Sequence, residues 1–327
     1  MGRKLKYAAA AALVITAGIY ANNTSLLASH RADKPVLLAH RGKAQRFDEQ
    51  GLTNETCTAA RMLPPTHDYL ENTLPAIRAG FDAGADIVEL DVHPTTDGAF
   101  AVFHDWTLDC RTDGHGVTRE QTMASLKTLD VGYGYTADNG RTFPFRGKGI
   151  GMMPSLADVL ETFPDRRLLI NVKSRDPGEG EKLAAVLNNL PATRRSRIMV
   201  YGGDEPIEAL RARAPEIRTI SRSAIRSCLV RYIGYGWTGL VPQTCHNAMV
   251  LVPINVAPWL WGWPDRFLDR MRGANSVVFV LGPYHGGEFS TGIDTPELFA
   301  RLPRHYSGGI LTNEIDMVAG LVNGPRN

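Results

Sequence analysis

Glu89 and Asp91 stand two positions apart in the stretch "VELDVHPTTDGAFAVFHD", and the same stretch ends on His104-Asp105. Side chains of a strand alternate faces, so the two carboxylates share one, roughly 7 Å apart along the chain. Like charges on one face of a core strand repel, and both are costly to desolvate unless something positive lies between them. A divalent cation meets that need, and hard oxygen ligands favour magnesium, calcium or manganese over zinc. A salt bridge to Arg or Lys meets it equally well, and the pair alone does not choose. His40 and His104, whose ordinary pKa lies near neutrality, are suited to accept and donate protons.

Those groups are useful only if the fold brings them together. Nine short apolar or β-branched runs read as strands: 36–40, 86–92, 99–104, 168–173, 197–201, 217–221, 249–253, 276–282 and 308–313. Helical patterns lie between several of them, one opening near Asn72-Thr73, one at Ser155 and one over "PELFARLP". Strands alternating with helices predict a parallel sheet with crossover connections. Runs such as "VVFVLG" fit strands buried on both faces. The pattern fits an eight-stranded (β/α)₈ barrel with one strand to spare. His40-Arg41, Asp91, His104-Asp105, Lys173 and Asn313 all fall at or near strand C-termini, the ends that meet at the functional rim of such a barrel.

The bulk composition is that of a globular chain with a substantial core: 327 residues, 43% hydrophobic, formal charge +2. No basic stripe is long enough to predict a nucleic-acid partner. Residues 1–34 read as an export signal or membrane anchor, with a basic start, the apolar "AAAAALVITAGIYA" and a polar exit. An exported or periplasmic location follows, with residues 7–21 open as an anchor. Residues 35–327 read as one barrel domain. Cys57, Cys110, Cys228 and Cys245 make two disulfides plausible in an oxidising compartment, paired in that order, and their spacing does not suit a zinc site.

In order, "HRG" (40–42), "ENT" (71–73), "ELD" (89–91), "TTDG" (95–98), "HD" (104–105) and "RTDGHG" (111–116) resemble the glycerophosphodiester phosphodiesterases, relatives of sphingomyelinase D. "MPSLADVL" and "INVKS" continue the likeness to about residue 175. The resemblance implies a TIM barrel and metal-dependent hydrolysis of a glycerophosphodiester to glycerol 3-phosphate and an alcohol. It implies an acid–base pair in His40 and His104, metal ligands in Glu89 and Asp91, Glu71 near the metal, and phosphate contacts from Arg41 and Lys173. Asn171 stands where the family carries a third acidic ligand; an amide oxygen binds magnesium or calcium but brings no charge.

The resemblance leaves two other readings open: a phospholipase D-like lyase forming a cyclic phosphate from lysolipids or sphingolipids, and a non-catalytic phosphodiester-binding protein. A long insertion (43–70) is expected over the rim, pinned by Cys57–Cys110 and shaping substrate choice. Trp259, Trp261 and Trp263 are candidates for stacking on a choline-like cation, for a membrane interface, or for simple packing on the barrel. "GPYHGGEFSTG" (282–292) reads as a glycine-rich rim loop.

Overall fold

The computed structural model describes residues 2–28, 33–53, 56–286 and 291–324. All nine expected runs are strands: β1 (Val36–Ala39), β2 (Ile87–Pro94), β3 (Phe100–Val102), β4 (Arg167–Val172), β5 (Ile198–Gly202), β6 (Arg218–Ser221), β7 (Met249–Pro253), β8 (Val277–Leu281) and β9 (Gly309–Thr312). Eight lie in the spatial order β6-β5-β4-β2-β1-β9-β8-β7, and the two ends of that order, β6 and β7, come together. The result is a nearly closed (β/α)₈ barrel. The spare strand is β3, which pairs antiparallel with β2 and sends the chain back to the rim at His104.

Local sequence explains the elements that frame the site. Every residue of β2 is buried, as a strand covered on both faces requires. Thr73 caps the helix Leu74–Asp82 by accepting from the Ala76 N–H, and Ser155 with Asp158 forms a capping box at Leu156–Thr162. Between β1 and the first of these helices the chain doubles back through Arg41 and Gly42, both at positive φ. A Cβ on Gly42 would sit 2.6 Å from the Ala76 carbonyl oxygen. Only glycine fits there.

A second core sits apart from the barrel. Ala59 and Met62 of the 43–70 insertion pack with Phe103, Leu126, Tyr135 and Phe145 of the connection from β3 to β4. The sequence pattern gave notice of the insertion but not of this partner, because residues 106–153 carry only short helical turns and no strand periodicity. Both expected disulfides are present: Cys57–Cys110 ties the two segments together, and Cys228–Cys245 ties the helix Arg222–Tyr235, which holds Cys228, to the turn Gln243–Cys245.

At the N-terminus, one helix runs from Arg3 to Asn23 with no buried residue. The helix takes in the expected apolar run together with its basic start and Asn22-Asn23. By length and composition the helix could cross a membrane. Of the expected glycine-rich loop, residues 287–290 lie outside the described residues.

Candidate active site

Parallel register brings the chemistry to one rim. Asp91 of β2 lies opposite Asn171 of β4, which lies opposite Tyr201 of β5. His40 and Arg41 follow β1, Lys173 follows β4, Asn313 follows β9, and His104 follows β3. Residues 273 positions apart in sequence are hydrogen-bonded here: His40 Nδ1 lies 2.7 Å from Asn313 Oδ1.

The two imidazoles are oriented alike. Asn313 Nδ2 donates to Asp294 Oδ2 at 2.7 Å, which turns Oδ1 of the same amide toward His40. A carbonyl oxygen accepts only, so His40 carries its proton on Nδ1 and presents an unprotonated Nε2. His104 Nδ1 lies 2.7 Å from Asp105 Oδ1, and Arg111 Nε donates to Asp105 Oδ2 at 2.9 Å. Burial, aided by the charge on Arg41, lowers the His40 pKa to about 4. Burial also takes His104 well below the ordinary range, with Arg41 and Lys173 adding to it. In the free chain both rings are neutral at pH 7. His93, expected on the same strand face as Asp91, is buried beneath this pair, with Nε2 3.3 Å from the His104 carbonyl oxygen and its ring edge-on to Trp106.

Glu71, Glu89 and Asp91 converge on Arg41, and Asn171 on Asp91, so that their partners are donors of the chain itself. Glu71 Oε1 pairs with Arg41 Nη1 at 2.8 Å and Oε2 with Arg111 Nη1 at 3.0 Å. Asp91 Oδ2 accepts from Asn72 Nδ2 at 3.0 Å and lies 3.1 Å from Arg41 Nε. Asp91 Oδ1 accepts from Asn171 Nδ2 at 2.8 Å, with Lys173 Nζ 3.7 Å away. Glu89 accepts from Tyr201 Oη at 2.8 Å and from the Arg41 N–H at 3.1 Å. Burial, with Asp91 adding repulsion, pushes the Glu89 carboxyl up to about 8. Burial would raise Asp91 too, but Arg41 and Lys173 hold it well below the carboxylate range.

Among the described residues, no three of His, Cys, Asp or Glu form a set that could hold a metal ion. As arranged, the acids are ion-paired and do not fit a divalent cation. Such an ion would have to displace Arg41 from Asp91 and turn over the Asn171 amide, which now offers its NH₂ rather than its oxygen.

The Glycerophosphoryl diester phosphodiesterase family model matches residues 40–211, more than half of the chain. The chain belongs to that family. A glycerophosphodiester phosphodiesterase of Caldanaerobacter subterraneus is 36% identical over 118 residues, 35% of this chain and 45% of that protein. One of Bacillus subtilis is 35% identical over 123 residues, 36% of this chain and 41% of the relative. The chain thus matches less than half the length of these two relatives. The phosphodiesterase domain of an uncharacterized Mycobacterium tuberculosis protein superposes with a TM-score of 0.64 at 18% identity, covering 88% of this chain and 99% of that one. An Oleispira antarctica phosphodiesterase, solved with its product sn-glycerol-3-phosphate, gives 0.56 at 17% identity, covering 89% and 98%. These two likenesses establish the barrel.

Sequence reasoning missed three supports of the family site. Asp294 lies in a loop with no motif around it. Tyr201 looked like an ordinary strand residue, although its place at the C-terminal end of β5 was a signal. The Asp105–Arg111 pair lies within quoted motifs but was given no role.

Proposed function

We propose that the chain hydrolyses glycerophosphodiesters to sn-glycerol 3-phosphate and an alcohol, with His40 and His104 as its proton carriers. The observation that carries this reading is the pair of imidazoles, His40 buried and His104 half-buried, each tied through Nδ1 to an oxygen of the chain, with His40 Nε2 3.8 Å from Glu89 Oε2. Neutral imidazole takes a proton from water as its oxygen attacks phosphorus. An incoming phosphodiester anion favours the imidazolium form of the second ring, which protonates the alkoxide as the phosphorus–oxygen bond to the alcohol breaks. Arg41 lies near both rings and Lys173 near His104, and the two cations would offset negative charge on the phosphoryl oxygens. Arg41 Nε lies 3.1 Å from Asp91 Oδ2 without an aligned hydrogen bond, so its charge is shared between that acid and an incoming phosphate. The Oleispira relative holds the product this reaction would give.

The test is release of glycerol 3-phosphate from glycerophosphocholine, glycerophosphoethanolamine and glycerophosphoglycerol. Turnover of at least one of them is expected, and it should fall by about 10²–10⁴ in His40→Ala and in His104→Ala. Full turnover in either variant would remove that histidine from the reaction.

A further inference from the structure

We propose that the helix Arg3–Asn23 is a retained bilayer span and that the aromatic surface at its barrel end rests on the lipid headgroups. The helix has 21 residues, roughly 31 Å at 1.5 Å per residue, close to the thickness of a hydrocarbon core. None of them is buried, and Leu13, Val14 and Ile15 stand 73%, 70% and 62% exposed. Residues 8–15 are apolar on every side, so a partner helix covering one stripe would leave the rest in water. A bilayer covers all of it.

The C-terminal end of this helix is built into the barrel. Asn22 and Asn23 both donate from Nδ2 to the Trp237 carbonyl oxygen, at 3.0 and 2.9 Å. Arg270 returns two bonds, Nη1 to Asn23 Oδ1 at 3.0 Å and Nη2 to the Asn22 carbonyl oxygen at 2.8 Å. Ser25 Oγ accepts from the Asp265 N–H at 3.3 Å, and Arg266 donates to the Leu27 carbonyl oxygen at 2.8 Å. A segment destined for removal has no need of six hydrogen bonds to the mature domain.

Around that junction the surface is apolar and aromatic: Leu26, Leu27, Trp237, Leu240, Trp259 and Trp261 are all exposed, Trp259 to 71%. Trp263, by contrast, packs on Phe267 and Tyr306. Indoles with one wet and one apolar side suit the headgroup layer. At the far end Arg3, Lys4 and Lys6 supply the positive charge that stays cytoplasmic, which leaves the disulfide-bonded barrel on the oxidising side.

The test uses the full chain recovered from bacterial membranes and reconstituted into phosphatidylcholine–phosphatidylglycerol vesicles, plain or brominated in the acyl chain. Intact mass should retain residues 1–23, the chain should sediment with vesicles after a carbonate wash, and bromolipid should quench its tryptophan fluorescence. The exposed-site variant Trp259→Phe should fold normally and lose the largest share of that quenching. A soluble chain lacking residues 1–23 would overturn the span. A detergent-free dimer that ignores vesicles would assign the helix to a second copy. Sedimentation with equal fluorescence in plain and brominated vesicles would overturn the headgroup surface. Activity plays no part in these readouts, so their failure is separate from failure of the hydrolase reading.

Discussion

At the scale of single residues, orientation explains more than residue type. Asn313 works on His40 only because Asp294 fixes which end of its amide faces the ring. Asp294→Asn should therefore lower kcat about tenfold with KM little changed, the cost of one lost orienting hydrogen bond of roughly 1.4 kcal/mol. Steady-state kinetics on a glycerophosphodiester would check it, and an unchanged kcat would refute it. Asn171 allows a second test. With Arg41 on Asp91 and an amide where the family carries an acid, magnesium and calcium should bind at about 1 mM or more weakly. Asn171→Glu should tighten that by about tenfold, or 1.4 kcal/mol, in calorimetric titration. Micromolar binding by the unaltered chain would mean that Arg41 readily leaves the acids. Asp91, His40 and His104 were legible from sequence because motif and strand-end position agree, and Glu89 because it shares a strand face with Asp91. The pairing of the acids with Arg41 and Arg111 was not legible. A charge pattern gives the number of acids but not which cation reaches them first.

At the scale of elements, periodicity was a sound guide wherever an element is buried on a repeating face. All nine strands and the Thr73 and Ser155 caps follow from it. It was silent on 106–153, where the core is built from irregular turns, so the second core emerged only in three dimensions. The insertion was expected to shape substrate choice, and its structure adds a packing role. Met62 and Ala59 belong to the second core, and Thr58 accepts from Arg111. Deleting 46–66 should therefore lower stability as well as alter the substrate profile, and an unchanged melting temperature would show the insertion to be dispensable for folding. Replacing Cys57 and Cys110 with serine opens a loop of sequence separation 53 and should cost about 3–4 kcal/mol in urea denaturation. The turn at Gly42 is another close joint. Gly42→Ala must push the Ala76 carbonyl aside at a left-handed φ, so it should destabilise the chain by more than about 1 kcal/mol.

At the scale of the whole molecule, the helix Arg222–Tyr235 sets the distance between its two ends. It begins at Ser221, the last residue of β6 and thus at the rim, and runs 14 residues, about 21 Å, before reaching Trp237. Trp237 is where the N-terminal helix is fastened. Lysophosphatidylcholine held in vesicles should accordingly be a far poorer substrate than glycerophosphocholine in free solution, and a direct comparison of initial rates would decide it. Equal rates would favour the lyase reading raised from the sequence. If the helix spans a bilayer as proposed, a tether on one side and a mouth on the other would make the barrel a sentry posted with its back to the leaflet. On the proposed function and span, what it would seize is what has already shed its acyl chains and drifted into the surrounding water.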